Sequence, residues 1–290
     1  MRVVYILNPA AGGAGPDLLA EVAAAASDAG LEGPVRLTAA PGHATTLARE
    51  AAAEGATVVV AVGGDGTANE VAAGLVGTPA AFAVLPAGTG DDLARELGMP
   101  AGWRRGLAAL PRAEKRRIDV CFANKQPFFQ VAGAGLDGYV NQLRLRERWL
   151  SGPLAYTKCA IQGLLSYEPV ACRLVLDGEA WSQRALAVTI ANGHTYGGGM
   201  RIAPGARNDD GAFDVAIIGD LGKLDALRMF PTVYWGGHVR HPKFTLRRGT
   251  HLLVESERPV PIHVDGTLAG MTPLECSIQP GALEVLSLRP

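Results

Sequence analysis

The sequence predicts an α/β domain built on a parallel sheet, followed by a second, mainly antiparallel β domain. Three observations carry this. Over roughly the first 110 residues, short runs that are apolar throughout alternate with helical patterns, as in a parallel sheet covered on both faces. Beyond Lys115 the rhythm changes to strand patterns punctuated by Asp-Gly turns. Within the first region, the stretch VVVAVGGDGTANEVAAGL (Val58–Leu75) drives an apolar strand into Gly63-Gly64-Asp65-Gly66 and then into a helical pattern.

Taken in order, Val3–Leu7 reads as the first strand, and Asp17–Ala29 as a helix with Leu18, Leu19, Val22 and Ala26 on one face. Val35–Thr38 is a strand, His43–Glu54 a helix, Val58–Val62 a strand and Thr67–Leu75 its helix. Ala81–Leu85 is a strand and Asp91–Leu97 a short helix. In the second half, Pro127–Ala132, Ala171–Leu176, Ala185–Ala191, Phe213–Ile218, Phe244–Arg247, Thr250–Ser256 and Ile262–Val264 read as strands. Asp177-Gly178, Asp210-Gly211 and Asp265-Gly266 are turns, and a helical insert covers about Gly138–Leu165. No internal repeat or low-complexity linker interrupts the chain.

The bulk properties narrow the function. With 290 residues, 48% of them apolar, the chain can form one large domain or two of ordinary size. A formal net charge of −1 gives no overall field toward nucleic acid or membrane, so such contact must come from a local patch. Arg144–Trp149 and Arg240–Arg248 mix basic and aromatic residues and are the candidates for resting on anionic lipid; a solvated face is the competing reading. The four cysteines are scattered without CxxC spacing, so neither a zinc site nor a disulfide framework is indicated, which suits a reducing cytoplasm. The apolar run at the start is too short for a signal peptide, and none approaches the roughly 18 residues of a transmembrane anchor.

Parallel sheets bind ligands at the carboxyl ends of their strands, where loops meet helix N-termini. Glycines at Gly63, Gly64 and Gly66 let the backbone approach a phosphate, and the helix amides beyond favour negative charge. Asp65 is unfavourable against bare phosphate but suits a metal ion or a substrate hydroxyl. The alternative is a tight turn in which Asp65 caps the helix. Two more small-residue loops follow strands, Asn8–Gly13 and Pro86–Asp92, and together the three suggest a phosphate-binding rim. No Walker A pattern is present. The GxGxxG at Gly133–Gly138 lacks a following βαβ unit with a ribose-binding acid, so it is not read as a dinucleotide site. His238-Val239-Arg240-His241 has no third metal ligand nearby and reads as a loop. Arg207-Asn208-Asp209-Asp210-Gly211 is either a hairpin turn or a hard-cation site of carboxylate plus carbonyl oxygens.

In order, NPAAGG at 8–13, GGDGTANEV at 63–71, LPAGTGDDLAREL at 85–97, GAGLDG at 133–138, GPLAY at 152–156, YGGGMRIAPGARNDDGAFDV at 196–215, VDG at 264–266 and PGALEVL at 280–286 resemble the bacterial diacylglycerol kinase-like lipid kinases. These belong to the superfamily that includes sphingosine kinases and, more remotely, NAD kinases. The resemblance covers nearly the whole chain. It implies an α/β Rossmann-like nucleotide-binding domain at 1–118, with a tail at about 284–290 returning to it. A β-sandwich lipid-binding domain would span 119–283, with the active site in the interdomain cleft. It implies ATP held by Asn8, Pro9, Ala10, Ala11, Gly12, Thr38, Gly63, Gly64, Asp65, Gly66, Thr67, Asn69 and Thr89. It also implies Mg²⁺, with a structural ion held by Asp210 and the carbonyls of Arg207 and Ala212, supported by Asp119 through water. The partner would be a lipid substrate at the membrane surface, met by a cytoplasmic protein peripheral to the inner face. No nucleic acid is involved, and a homodimer is compatible with the sequence.

Two residues depart from the family pattern. Asp91 stands where Asn is usual. Thr267 stands where the family's VDGE motif supplies a Glu, taken as the base for the acceptor hydroxyl. Threonine is no base at neutral pH, and a positioned base is worth about 10²–10⁴-fold in rate. Asp65 and Asp265 are then the catalytic candidates beside the Thr267 position. The competing expectation is a degenerate kinase that binds nucleotide or lipid without efficient transfer. NAD kinase is a third reading, disfavoured by the GGGMRIAP…DDG segment.

Overall fold

Strands that are apolar on both faces require cover on both faces. The computed structural model, which describes residues 2–11, 17–146 and 152–289, provides it. The chain divides into two units, Met1–Asp119 with Gly281–Pro290, and Val120–Pro280.

In the first unit β1 (Val3–Leu7), α1 (Leu18–Asp28), β2 (Val35–Leu37), α2 (His43–Ala53), β3 (Val58–Gly63), α3 (Asp65–Leu75), β4 (Ala81–Pro86), α4 (Asp92–Glu96) and α5 (Trp103–Ala109) follow in order, and β5 (Glu114–Ala123) leads out. The parallel order is β4-β3-β1-β2, with Val3 opposite Val58 and Val58 opposite Ala81. Every residue of β1, β3 and β4 is buried, which is why these runs show no alternation. The chain leaves β1 for one side and returns to β3 on the other, so the loops after β1 and β3 flank a topological switch point.

Three local differences from the sequence reading have physical causes. α3 begins at Asp65 rather than Thr67, which brings the carboxylate into the first turn. α4 begins at Asp92 because Asp91 takes a left-handed conformation, φ 52°. The unexpected α5 carries Gly106 in its interior, a weak helix former. That glycine lies against β4, where a Cβ would sit 3.2 Å from Leu85 Cδ2.

The second unit contains β6 (Gln126–Phe128), β7 (Val131–Gly135), α6 (Leu136–Arg146), α7 (Gly152–Ser166), β8 (Val170–Leu176), β9 (Glu179–Ala191), β10 (Phe213–Gly219) and α8 (Lys223–Met229). Two 3₁₀ turns (Phe230–Tyr234 and Gly237–Arg240), β11 (Phe244–Gly249), β12 (His251–Ser256), β13 (Pro261–Val264), β14 (Thr267–Met271) and β15 (Leu274–Ser287) complete it. The antiparallel order is β14-β13-β7-β9-β8-β12-β15, with β10 joining β9 to β11. β15 leaves this unit at Pro280, and its Val285 then pairs in parallel with Phe82 of β4.

The expected strand Pro127–Ala132 is instead β6 and β7, separated at Phe129-Gln130. The amides of Phe129, Gln130 and Val131 all turn toward the Asp265 carboxylate. Helices α6 and α7 form the insert. The last glycine of GxGxxG has a packing role, since a Cβ on Gly138 would sit 2.3 Å from the Pro261 carbonyl oxygen. His238 is in a 3₁₀ turn rather than an open loop. It is buried, with Nε2 2.9 Å from the Ile202 oxygen and its ring edge-on to Phe244.

Candidate functional site

Three loops converge at the carboxyl edge of the parallel sheet. Asn8, leaving β1, donates its backbone N–H to Val62 O at 3.1 Å. Its side-chain Oδ1 accepts from Ala10 N at 2.9 Å and its Nδ2 donates to Thr67 Oγ1 at 3.1 Å. One amide therefore folds the Asn8–Ala11 loop and ties it to the first turn of α3. Pro9 and Ala10 are carried by this loop, while Gly12 lies outside the described residues. Thr38, just past β2, donates its N–H to Leu7 O at 2.9 Å.

Glycine sets the spacing of the other two loops. A Cβ on Gly88 would sit 2.5 Å from Gly64 Cα, and one on Gly64 3.1 Å from Gly88 Cα. The loops after β3 and β4 therefore touch backbone to backbone, which no larger residue permits. Gly63 is equally confined, since its Cβ would meet Thr67 at 2.7 Å, whereas Gly66 faces open space. The first amides of α3 have no acceptor within the helix. Asn69, one turn in, has a buried Oδ1 that accepts no hydrogen bond. Thr89 is exposed on the facing loop.

Asp65 does not cap its own helix. Its Oδ1 accepts from Asp92 N at 2.6 Å and Leu93 N at 3.4 Å, so it caps α4 across the gap. Its Oδ2 lies against Gly90, where a Cβ would approach to 2.5 Å. Asp91 is beside it, its Oδ1 accepting from Gly88 N at 3.1 Å. Burial, then the neighbouring Asp65 charge, push the Asp91 carboxyl up to about 6. Arg95 answers this acidity by pairing with Asp92 and donating to Gly90 O at 2.9 Å.

In the second unit, Asp265 and Gly266 form the two-residue turn between β13 and β14, with φ of 44° and 80° and Val264 opposite Thr267. The Asp265 carboxylate accepts from Phe129 N, Gln130 N and Val131 N at 2.9, 3.0 and 2.9 Å. Burial nonetheless raises its pKa to about 6, against the pull of those amides. Thr267 is exposed at the start of β14. In the Arg207–Ala212 turn, Asp210 Oδ1 accepts from Ala212 N at 3.4 Å and Oδ2 pairs with Arg248 at 2.6 Å; Arg207 pairs with Asp209 at 3.0 Å. Asp119 is buried in β5, its Oδ1 accepting from Gly281 N at 2.8 Å. Among the described residues, no group of three or more His, Cys, Asp or Glu side chains could hold a metal ion.

Residues 2–123 match the family model described as the diacylglycerol kinase catalytic domain, and residues 130–287 match the YegS C-terminal NAD kinase beta sandwich-like domain. The chain is 32% identical over 275 residues to a Pseudomonas aeruginosa protein named "Probable lipid kinase YegS-like", covering 94% of this chain and 90% of that one. It is 33% identical over 223 residues to a diacylglycerol kinase of Mycobacterium tuberculosis, covering 74% and 72%. The chain belongs to the diacylglycerol kinase family. This kinase also shares its fold with a crystal structure of a diacylglycerol kinase from Bacillus anthracis, with a TM-score of 0.77, 22% identity and coverage of 99% and 97%.

Sequence reading missed one feature of this kinase, a narrow cavity of about 50 Å³ in the second unit. Leu136, Val140, Leu164, Met200, Met229 and Phe230 line it, with Asp137 as its one charged wall. Asp137 Oδ2 accepts from Thr189 Oγ1 at 2.7 Å and lies 3.7 Å from buried His263 Nε2. Burial pushes the Asp137 pKa up, but His263 and Thr189 together hold it below the ordinary value. The lining comes from six separate segments, so no local spacing could reveal it. The only signal was the Asp inside the GxGxxG.

Proposed function

We propose that this kinase uses ATP and Mg²⁺ to phosphorylate the hydroxyl of a lipid, diacylglycerol-like or sphingoid. The observation that carries the reading is the glycine seat at the switch point. Gly64 and Gly88 are in backbone contact, the amides that open α3 have no acceptor within the helix, and the buried Asn69 Oδ1 lacks a donor. Each feature fits a nucleoside triphosphate: space for phosphate, donors for its oxygens, and an acceptor for a polar N–H or O–H. Asn8, Pro9, Ala10, Ala11, Gly63–Thr67, Thr38 and Thr89 would bind and orient it, with Gly12 as the sequence expects.

The donor set at Arg207–Ala212 also fits a hard cation. It is all oxygen, and the Arg248 guanidinium already sits as a positive charge on Asp210. Asp210 with the carbonyls of Arg207 and Ala212 would hold the ion. Mg²⁺, when bound with the nucleotide, supplies charge neutralisation for the transferring phosphate.

Asp65 is the proposed proton acceptor and orienter of the lipid hydroxyl. The α4 amides fix one of its oxygens, and no donor among the described residues meets the other. Asp265 has its carboxylate engaged by three amides, which supports a turn-holding role instead. Thr267 supplies a hydroxyl that can bind but not deprotonate the acceptor. Phosphoryl transfer depends mainly on positioning and electrostatics, so turnover survives at reduced rate. The lining of the second unit's cavity is apolar like an alkyl chain, and its volume of about 50 Å³ admits only the end of one.

The test is transfer of radiolabelled phosphate from ATP to a lipid panel in mixed micelles with Mg²⁺. Label should enter one lipid class, fall sharply in Asp65→Ala and rise in Thr267→Glu. No label with either the natural chain or Thr267→Glu would refute the reading.

A further inference from the structure

Gly133, the first glycine of the GxGxxG, leaves a gap in the antiparallel sheet, and three polar side chains meet there. Thr189 of β9 and His263 of β13 are both directly opposite Gly133 of β7, so the three form one row on one face of the sheet. A Cβ on Gly133 would sit 3.0 Å from His263 Nε2. Without it, the imidazole and the Thr189 hydroxyl both reach the Asp137 carboxylate, carried by the first turn of α6. Thr189 Oγ1 donates to Asp137 Oδ2 at 2.7 Å, and His263 Nε2 stands 3.7 Å from the same oxygen.

The second distance suits an ion pair but is too long for a hydrogen bond. The ring is 2% exposed, and neither of its nitrogens has a hydrogen-bond partner among the described residues. A neutral ring would leave both nitrogens unmatched and the carboxylate with one hydroxyl donor; a cationic ring matches the carboxylate. Two ionisable groups face the ring. Asp137 comes from α6, and Asp265 from the turn that ends β13; burial raises the Asp265 carboxyl to about 6, against its three amides and the His263 charge. β7 and β14 present only Gly133 and Leu268 opposite the ring. Buried ion pairs add little stability, and their best-attested use is to select one arrangement over others. Here the pair joins a helix to a hairpin, because β13 runs from His263 straight into Asp265, Gly266 and Thr267.

We propose that Asp137 and His263 form a proton-dependent lock that seats the β13–β14 hairpin against α6, which makes both of them positioning residues for the lipid acceptor that meets Thr267. The lock is closed while His263 holds its proton. It opens as pH rises and the ring becomes neutral. The acceptor's part in this rests on the lipid-kinase reading above, whereas the lock on the hairpin does not.

Two readouts on the full chain test this between about pH 6.5 and about pH 9, the span in which an imidazole beside a carboxylate gives up its proton. One is amide hydrogen exchange of Thr267–Met271, corrected for its intrinsic pH dependence. The other is KM for dioctanoylglycerol and for a sphingoid base in mixed micelles. Protection should fall, and lipid KM rise, by about tenfold in a single one-proton step, while KM for ATP stays level. Asp137→Asn removes the counter-charge and should move the step down by about one pH unit or more. His263→Gln, uncharged at every pH, should abolish the step in both readouts. The double variant Asp137→Asn/His263→Gln should also lack it, with the natural melting temperature. A step that survives unchanged in His263→Gln overturns the lock. So do flat exchange and flat lipid KM in the natural chain, a result that needs no variant to fold. Exchange that follows the His263 proton, with no phosphate transfer to either lipid, would sink the lipid-kinase reading and leave the lock standing.

Discussion

Two carboxylates stand side by side at the glycine rim, and their surroundings separate their roles. Asp65 is oriented by α4 amides through one oxygen. Asp65→Asn keeps an oxygen for those amides but removes the base, so kcat should fall about 10²–10³-fold with little change in KM for ATP. A steady-state comparison checks this; an equal loss in Asp65→Asn and Asp65→Leu of melting temperature alone would mean a purely structural residue. Asp91 behaves differently. Its carboxyl is raised from 3.8 to about 6 in the folded state, so folding is helped by its proton below about pH 4. That help is lost as pH rises toward 6. Above 6 the ionised group opposes folding beside Asp65. Asp91→Asn should therefore raise stability near pH 7.5, by about 1 kcal/mol after solvent screening of this half-exposed site. The gain should shrink as pH falls through 6 and vanish below about 4. A gain that is flat across thermal melts at several pH values would contradict this.

At the scale of elements, the loops and the hairpin depend on backbone geometry that a side-chain pattern conveys only partly. Gly88→Ala forces apart two backbones now in contact, and should weaken ATP binding at least about tenfold, read by calorimetry. Gly66→Ala, which meets nothing within 4 Å, should leave binding nearly unchanged. In the hairpin, Asp265→Ala strands three buried amides. The second unit should lose about 3 kcal/mol of stability, measured by urea unfolding, while nucleotide affinity is kept. The apolar parallel strands were legible because burial on both faces writes itself as unbroken Val, Ala and Leu. The three rim loops were legible as small residues following those strands. β5 was not, because it opens with Glu114-Lys115-Arg116-Arg117 and shows no apolar run until Ile118. β14 was not, because none of its residues is buried. The capping of α4 by Asp65 was also hidden, since it joins residues 27 apart through the backbone of another helix.

For the molecule as a whole, the chain order of the two units is interleaved. The N-terminal unit is finished by the last ten residues, Gly281–Pro290. Leu283, Val285 and Leu286 are buried there, Val285 extends the parallel sheet beside Phe82, and Leu288 N donates to Leu97 O at 2.9 Å. Burial of three such side chains is worth roughly 6 kcal/mol, comparable with the roughly 5–15 kcal/mol that holds a domain folded. A chain ending at Pro280 should therefore lose its N-terminal unit. ATP would no longer raise its melting temperature, and protease would cut preferentially before Asp119. The second unit should stay protected, because it keeps the β12–β15 pairing from Leu274 to Ser277 and its own core. If ATP still stabilised the shortened chain to the same extent, the tail would be an ornament on a self-sufficient sheet. If both units melted together, the second would depend on the first, and the division of the chain into two folding units would have to be abandoned.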